Sequence, residues 1–125
     1  MGLRDCNLYD QLRHNALTAS DSAAVITSAQ IVSHRQLLDG VDRLAAGLVA
    51  SGIAKGDRVC ILAQNSIEYL ELYGACAKTG GIACPINWRL SASEVGGVVA
   101  LADPQMLVVG AAHLPQLESV DLSKL

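Results

Sequence analysis

The sequence predicts an α/β fold: a three-layer open sheet of mainly parallel strand–helix–strand units with flanking helices, plus a small N-terminal hairpin. Three observations carry this. Between Arg58 and Ile86, two short apolar runs enclose a helical segment that ends in a double glycine, over roughly the 30 residues that a parallel crossover needs. Those runs are continuously apolar instead of alternating, as in strands covered on both faces. Hydrophobic residues make up 51% of the chain, with no Phe and one Trp, so the core must be built from Ala, Val, Leu and Ile, which suit helices packed closely on a sheet. The 125 residues are enough for one domain with a core of its own, and residues 1–125 read as one unit without an internal boundary.

Taken in order, Leu8, Leu12, Ala16 and Leu17 recur near helical spacing, predicting a helix over about 8–19 with Asn7 as its cap and Arg13 and His14 toward solvent. Ala23–Thr27 and Gln30–Val32 read as two short strands about Ser28-Ala29, a hairpin whose turn lacks the glycine such turns favour. Ser33-x-x-Gln36 is a capping box opening a helix whose stripe is Leu37, Val41, Leu44, Ala45, Leu48 and Val49. Asp39 and Arg43 stand at the spacing of an ion pair on its outer face, and Gly52 is placed to end it.

Lys55-Gly56-Asp57 is a turn, and Arg58–Ala63 is a strand covered on both sides. Asn65 or Ser66 caps a helix from Ile67 to Thr79 that is apolar on most sides and should be largely buried. Gly74 in its middle costs up to about 1 kcal/mol against Ala, which implies a close packing contact there. Gly80-Gly81 closes the helix, and Ile82–Ile86 is a second buried strand with Pro85 near its end. Ser91-x-x-Glu94 is another capping box, for a helix through about Leu101 that Asp103-Pro104 breaks. Met106–Val109 is a third strand, and 111–118 a short helix limited by Pro115.

Composition excludes several functions. Net charge is −3 with no run of Lys or Arg, so nucleic acid is not an expected partner. No stretch reaches the ~18 apolar residues of a membrane span. Met1-Gly2 invites a myristoylation reading, but Cys6 stands where Ser or Thr is wanted. Cys6, Cys60, Cys76 and Cys84 form no C-x-x-C pair; they read as reduced thiols of a cytoplasmic protein, not as a disulfide framework or zinc site. His14 has no carboxylate or nucleophile motif beside it to make it a catalytic base.

Phosphate-binding signatures are missing. No G-x-G-x-x-G joins a strand to a helix, and Gly74 precedes Lys78-Thr79 without the second glycine of a phosphate loop. Gly80-Gly81 follows a helix, so its amides do not gather at a positive helix end. What remains is Asn87-Trp88-Arg89-Leu90, a loop between a strand's C-terminal end and a capped helix, where open α/β sheets bind ligands. Arg89 offers a permanently charged planar fork suited to phosphate; the competing reading is a Trp packed over a helix beside a solvated Arg.

Asn65-Ser66-Ile67-Glu68-Tyr69, continuing through Gly80-Gly81-Ile82-Ala83-Cys84-Pro85-Ile86-Asn87-Trp88-Arg89-Leu90-Ser91-x-x-Glu94, resembles the second core motif of the AMP-forming acyl-CoA synthetases. These belong to the adenylate-forming superfamily, with the luciferases and peptide-synthetase adenylation domains. Val32-Ser33-His34-Arg35-Gln36-Leu37 resembles their first motif, usually Thr-Tyr-x-Glu-Leu, with His34-Arg35-Gln36 as a departure. Gly52-Ile53-x-Lys55-Gly56-Asp57-Arg58-Val59 matches the turn into their next strand. Asn-Trp-Arg-Leu after Pro-Ile is closer to the acyl-CoA ligases than to peptide-synthetase domains, which usually show Pro-Ile-Asp. The resemblance covers about residues 5–112.

It implies a fragment of a larger multi-subdomain fold, the N-terminal portion of a ligase that joins a carboxylic acid, of the fatty-acid class, to coenzyme A with ATP and Mg²⁺. The family's Ser/Thr/Gly-rich phosphate loop, its nucleotide-binding set, its metal-binding Glu and its catalytic Lys match nothing within residues 1–125. No catalytic or metal-ligating residue is therefore expected here, no tight binding of ATP, Mg²⁺ or coenzyme A, and no activity from these residues alone. By resemblance, Arg89 is a candidate contact for a coenzyme A phosphate. Two further readings stand beside this one: a stand-alone binding module that self-associates through exposed strand edges, and an adenylating enzyme whose acceptor is a carrier protein.

Overall fold

The computed structural model describes residues 6–118 and 120–125; the Met1-Gly2 reading lies outside them. The chain forms helix α1 (Leu8–Thr18), hairpin strands β1 (Ala23–Ile26) and β2 (Ile31–Ser33), and helix α2 (His34–Ala50). Strand β3 (Arg58–Leu62), helix α3 (Ile67–Thr79), strand β4 (Ile82–Ile86), helix α4 (Ala92–Ala102), strand β5 (Met106–Val109) and a 3₁₀ helix (Ala111–Leu117) follow.

Local sequence explains most boundaries. Asn7, Ser33 and Ser91 each accept a bond from the backbone N–H three residues on, and Asp10, Gln36 and Glu94 return it, so α1, α2 and α4 all open on reciprocal caps. Ser66 caps α3 through Tyr69 N–H. Helix α2 ends where Gly52 takes φ +90°. Its amide donates to Val49 O at 3.0 Å and that of Ile53 to Leu48 O at 3.0 Å, the paired bonds of a Schellman end. In the hairpin, Thr27 does the work of the missing glycine: its hydroxyl accepts from the amides of Ala29 at 3.2 Å and Gln30 at 3.0 Å, fixing the turn by a side chain.

The main sheet has order β4–β3–β5, all parallel. Strand β3 is central, with Val59, Cys60, Ile61 and Leu62 all buried. Alternate side chains point to opposite faces, and each face has its own core. Val59 and Ile61 meet Ala45, Leu48, Ile53, Leu72, Ala75 and Cys76 from α2, α3 and the turn between α2 and β3. Cys60 and Leu62 meet Ile86, Val95 and Val99, with Trp88, Leu90, Leu117 and Val120 against them. The result is three layers: α2 and α3, the sheet, then α4 and the 3₁₀ helix. The crossovers from β3 to β4 and from β4 to β5 run in opposite directions across the sheet. Crossovers of one hand must then lie on opposite faces, as α3 and α4 do.

Several sequence expectations need correction. Ile82–Ile86 is an edge strand, paired on one side only, and just Ile86 in it is buried; the edge tolerates Pro85, which has no N–H to give a second neighbour. Helix α3 is less covered than expected, with Leu72, Gly74, Ala75 and Cys76 buried but Leu70 exposed. Val49 is exposed on α2, because it lies at the margin of the face that Leu37, Val41, Ala45 and Leu48 bury. Asp39 and Arg43 do not pair: among the described residues, the ion pairs join Arg35 to Asp21 and Lys78 to Asp42, while Arg43 acts on Glu71 of α3 and Lys78 also sits 4.9 Å from the Tyr9 ring centre. The short helix expected after β5 is present over Ala111–Leu117, in 3₁₀ form.

Candidate functional site

Because β3, β4 and β5 are parallel, their C-terminal ends open on one edge of the sheet. The chain leaves β3 toward α3 on one face and β4 toward α4 on the other, so the two strands flank a topological switch point, the position at which such sheets place ligands. The Asn87–Leu90 loop follows β4, and Gly110 with the 3₁₀ helix follows β5.

The loop is held at each residue. Asn87 Oδ1 accepts from Arg89 N–H at 3.0 Å, and Asn87 O accepts from Leu90 N–H at 3.1 Å. Ser91 then caps α4 with Glu94, whose carboxyl is held below its usual range by the Ser91 backbone N–H and then by its hydroxyl. The Trp88 ring is half-buried and lies 5.8 Å from the His113 ring, tilted by 44°. The Arg89 guanidinium stands 4.6 Å above the Trp88 ring, a cation–π contact. Arg89 is exposed and, among the described residues, pairs with no carboxylate. Trp88 packs against the core of this face, and it carries an exposed Arg89 over its ring, the arrangement of the competing reading.

Two participants went unnoticed in the sequence. Gln116 Nε2 donates to Trp88 O at 3.0 Å and to Leu90 O at 2.7 Å, and Gln116 Oε1 lies 2.9 Å from His113 Nδ1. The signal available was a His and a Gln three residues apart around Pro115, a spacing that brings side chains into line on a 3₁₀ helix.

On the opposite face, an apolar groove of about 370 Å³ is lined by Ile61, Ala63, Tyr69, Leu72 and Val108, with Glu68 and Glu71 among its walls. Burial raises the Glu71 carboxyl, Glu68 adds to this and Arg43 opposes it. The four cysteines are free thiols. Burial first, then Cys84, raises Cys60 to about 11, so it stays protonated and unreactive at neutral pH. Among the described residues no group of three or more His, Cys, Asp or Glu could hold a metal ion, and no helix is long and apolar enough to cross a membrane.

Layer order, strand order and the loop at the sheet's C-terminal edge together define an N-terminal portion of the adenylate-forming fold. The family model described as AMP-binding enzyme matches residues 12–124, and the chain belongs to that family. It is 37% identical over 116 residues to the long-chain-fatty-acid–CoA ligase FadD13 of Mycobacterium tuberculosis, a match covering 91% of this chain and 23% of that enzyme. It is 34% identical over 97 residues to the fatty acid–[acyl-carrier-protein] ligase ScoC of Streptomyces coeruleorubidus, covering 78% and 19%. Among solved structures, a fatty acyl CoA synthetase of M. tuberculosis superposes with TM-score 0.86 at 34% identity, covering 89% of this chain and 22% of that one. The coronafacic acid ligase of Pectobacterium brasiliense gives 0.88 at 29% identity, covering 96% and 24%. The chain thus spans less than a quarter of the length of these relatives.

Proposed function

We propose that these residues form the N-terminal portion of an ATP-dependent, AMP-forming acyl-CoA ligase acting on a carboxylic acid of the fatty-acid class, and that Arg89 meets a phosphate of coenzyme A. The observation that carries the site is the exposed Arg89 guanidinium, without a carboxylate partner among the described residues, held over Trp88 at the C-terminal edge of the sheet. The FadD13 relative favours the fatty-acid class.

In the proposed reaction a carboxylate oxygen attacks the α-phosphorus of ATP and pyrophosphate leaves. The thiolate of coenzyme A, its proton released to solvent, then attacks the acyl carbon and AMP leaves. The part given to this chain is to bind and exclude water. Arg89 supplies a fixed positive fork, worth more to an anion because its plane is already held by the indole. The apolar groove bounded by Ile61, Leu72 and Val108 offers surface to an acyl chain. The Mg²⁺ implied by the family finds no fitting donor set among the described residues, so no step is assigned to it in this chain. Free thiols at all four cysteines suit a reducing, cytoplasmic compartment.

The test uses the polypeptide specified by the uninterrupted reading frame that carries these residues. Arg89→Ala there raises the KM for coenzyme A by roughly tenfold, as expected for losing one charge-assisted contact of about 1.4 kcal/mol, with the KM for ATP unchanged. Unaltered coenzyme A kinetics would dismiss the role. Calorimetry of residues 1–125 alone with Mg-ATP is expected to give no saturable signal; a saturable isotherm would mean that the nucleotide site lies elsewhere than proposed. A second reading, transfer to a carrier protein, is favoured by the ScoC relative and is decided by supplying coenzyme A or an acyl carrier protein as acceptor.

A further inference from the structure

We propose that Gln116 is the positioning residue that aims Arg89, through a relay from His113 to the two carbonyls flanking Arg89. The functional consequence rests on the reading of Arg89 as a phosphate contact; the relay itself does not.

A primary amide has two hydrogens on one nitrogen and an oxygen that can accept. Gln116 uses all of these. Both hydrogens go to Trp88 O and Leu90 O, at 3.0 and 2.7 Å. That choice fixes the amide's orientation and leaves Oε1 facing His113 Nδ1 at 2.9 Å. The histidine must then carry its proton on Nδ1, since an acceptor there would face an acceptor. His113 is itself held: it is 8% exposed and its ring leans on Trp88. The 3₁₀ geometry matters for this, because residues three apart eclipse one another only in that helix.

The loop is thereby gripped from two sides. Asn87 ties its amides, and Gln116, arriving from beyond β5, ties its carbonyls. With both carbonyls turned inward, the side chain between them is turned out, and the Trp88 ring beneath it is set by His113. No other polar side chain of this length could serve. Glu has the shape but no hydrogens, Asn is one methylene short, and Lys cannot accept from His113. The grip also joins the loops after β4 and β5, strands that do not touch because β3 lies between them.

Trp88 is the only tryptophan, so the chain reports on this loop directly. Gln116→Met keeps length and charge and removes both donors. The expected result is a red-shifted Trp88 emission and stronger quenching by acrylamide, with wild-type far-UV circular dichroism. The ratio of iodide to acrylamide quenching should also fall, because an anion is no longer drawn to a guanidinium held over the ring. Arg89→Ala should lower the same ratio and leave the emission maximum in place. A folded Gln116→Met chain with unchanged emission and quenching overturns the proposal. Should that variant not fold, the wild-type chain still decides: the Gln116 side-chain amide protons must exchange with solvent more slowly than those of an exposed glutamine, and equal rates overturn the relay. Coenzyme A kinetics that ignore Arg89 would remove the functional reading while leaving these fluorescence results standing.

Discussion

At Gly74 a hydrogen stands where a methyl would lie 2.7 Å from Val41 Cγ2 and 2.8 Å from Leu12 Cδ1. Three helices meet at that point, and the missing side chain lets them. Gly74→Ala should therefore destabilise the chain despite alanine's better helix propensity. Overpacking costs about 1–3 kcal/mol, while propensity returns up to about 1, so with the full return the net loss is up to about 2 kcal/mol. Gly47 is the control: it is also inside a helix, but nothing lies within 4 Å of a Cβ there. Gly47→Ala should stabilise by up to about 1 kcal/mol. Urea midpoints measure both, and a stabilising Gly74→Ala would refute the close approach. The sequence flagged Gly74 as a costly residue needing a reason. It could not name Val41 and Leu12, which are brought there by packing.

Helix α2 shows how much one element can specify by itself. Ser33 and Gln36 close its start, and Gly52 at φ +90° closes its end with two backbone bonds. Open space surrounds Gly52, so a substitution there meets only backbone strain. Gly52→Ala is expected to cost about 1–2 kcal/mol, the penalty of placing a Cβ in the left-handed region; circular dichroism during urea unfolding reads it. An unchanged midpoint would show that the helix ends without the left-handed turn. The 3₁₀ helix is the contrary case. Its His113 and Gln116 answer to Trp88 and Leu90, more than twenty residues upstream, so the local spacing around Pro115 indicates a short helix but not its partners.

For the whole molecule the decisive feature is that both cores share β3. Val59 and Ile61 belong to one, Cys60 and Leu62 to the other. The two halves should therefore unfold together. Leu48→Ala, in the α2–α3 core, should lower stability by about 2–5 kcal/mol. It should shift the Trp88 fluorescence transition, which reports on the opposite core, by the same amount as the circular dichroism transition. Separate midpoints for the two probes would show that residues 1–125 are not one cooperative unit.

The sequence by itself determined the elements and the family. Helix starts are written in reciprocal caps at Ser33 and Ser91, the ends of α2 and α3 in Gly52 and Gly80, and strands, though not their burial, in unbroken apolar runs, all within a few residues of the structure they specify. It also put Arg89 on a loop at the end of a strand. Tertiary structure alone decided that β3 is central and β4 an edge, that Asp42 pairs with Lys78 and not Asp39 with Arg43, and that Gln116 grips the loop bearing Arg89. These depend on which distant segments share a face, and short-range periodicity carries no information about that; only closing the layers on one another does.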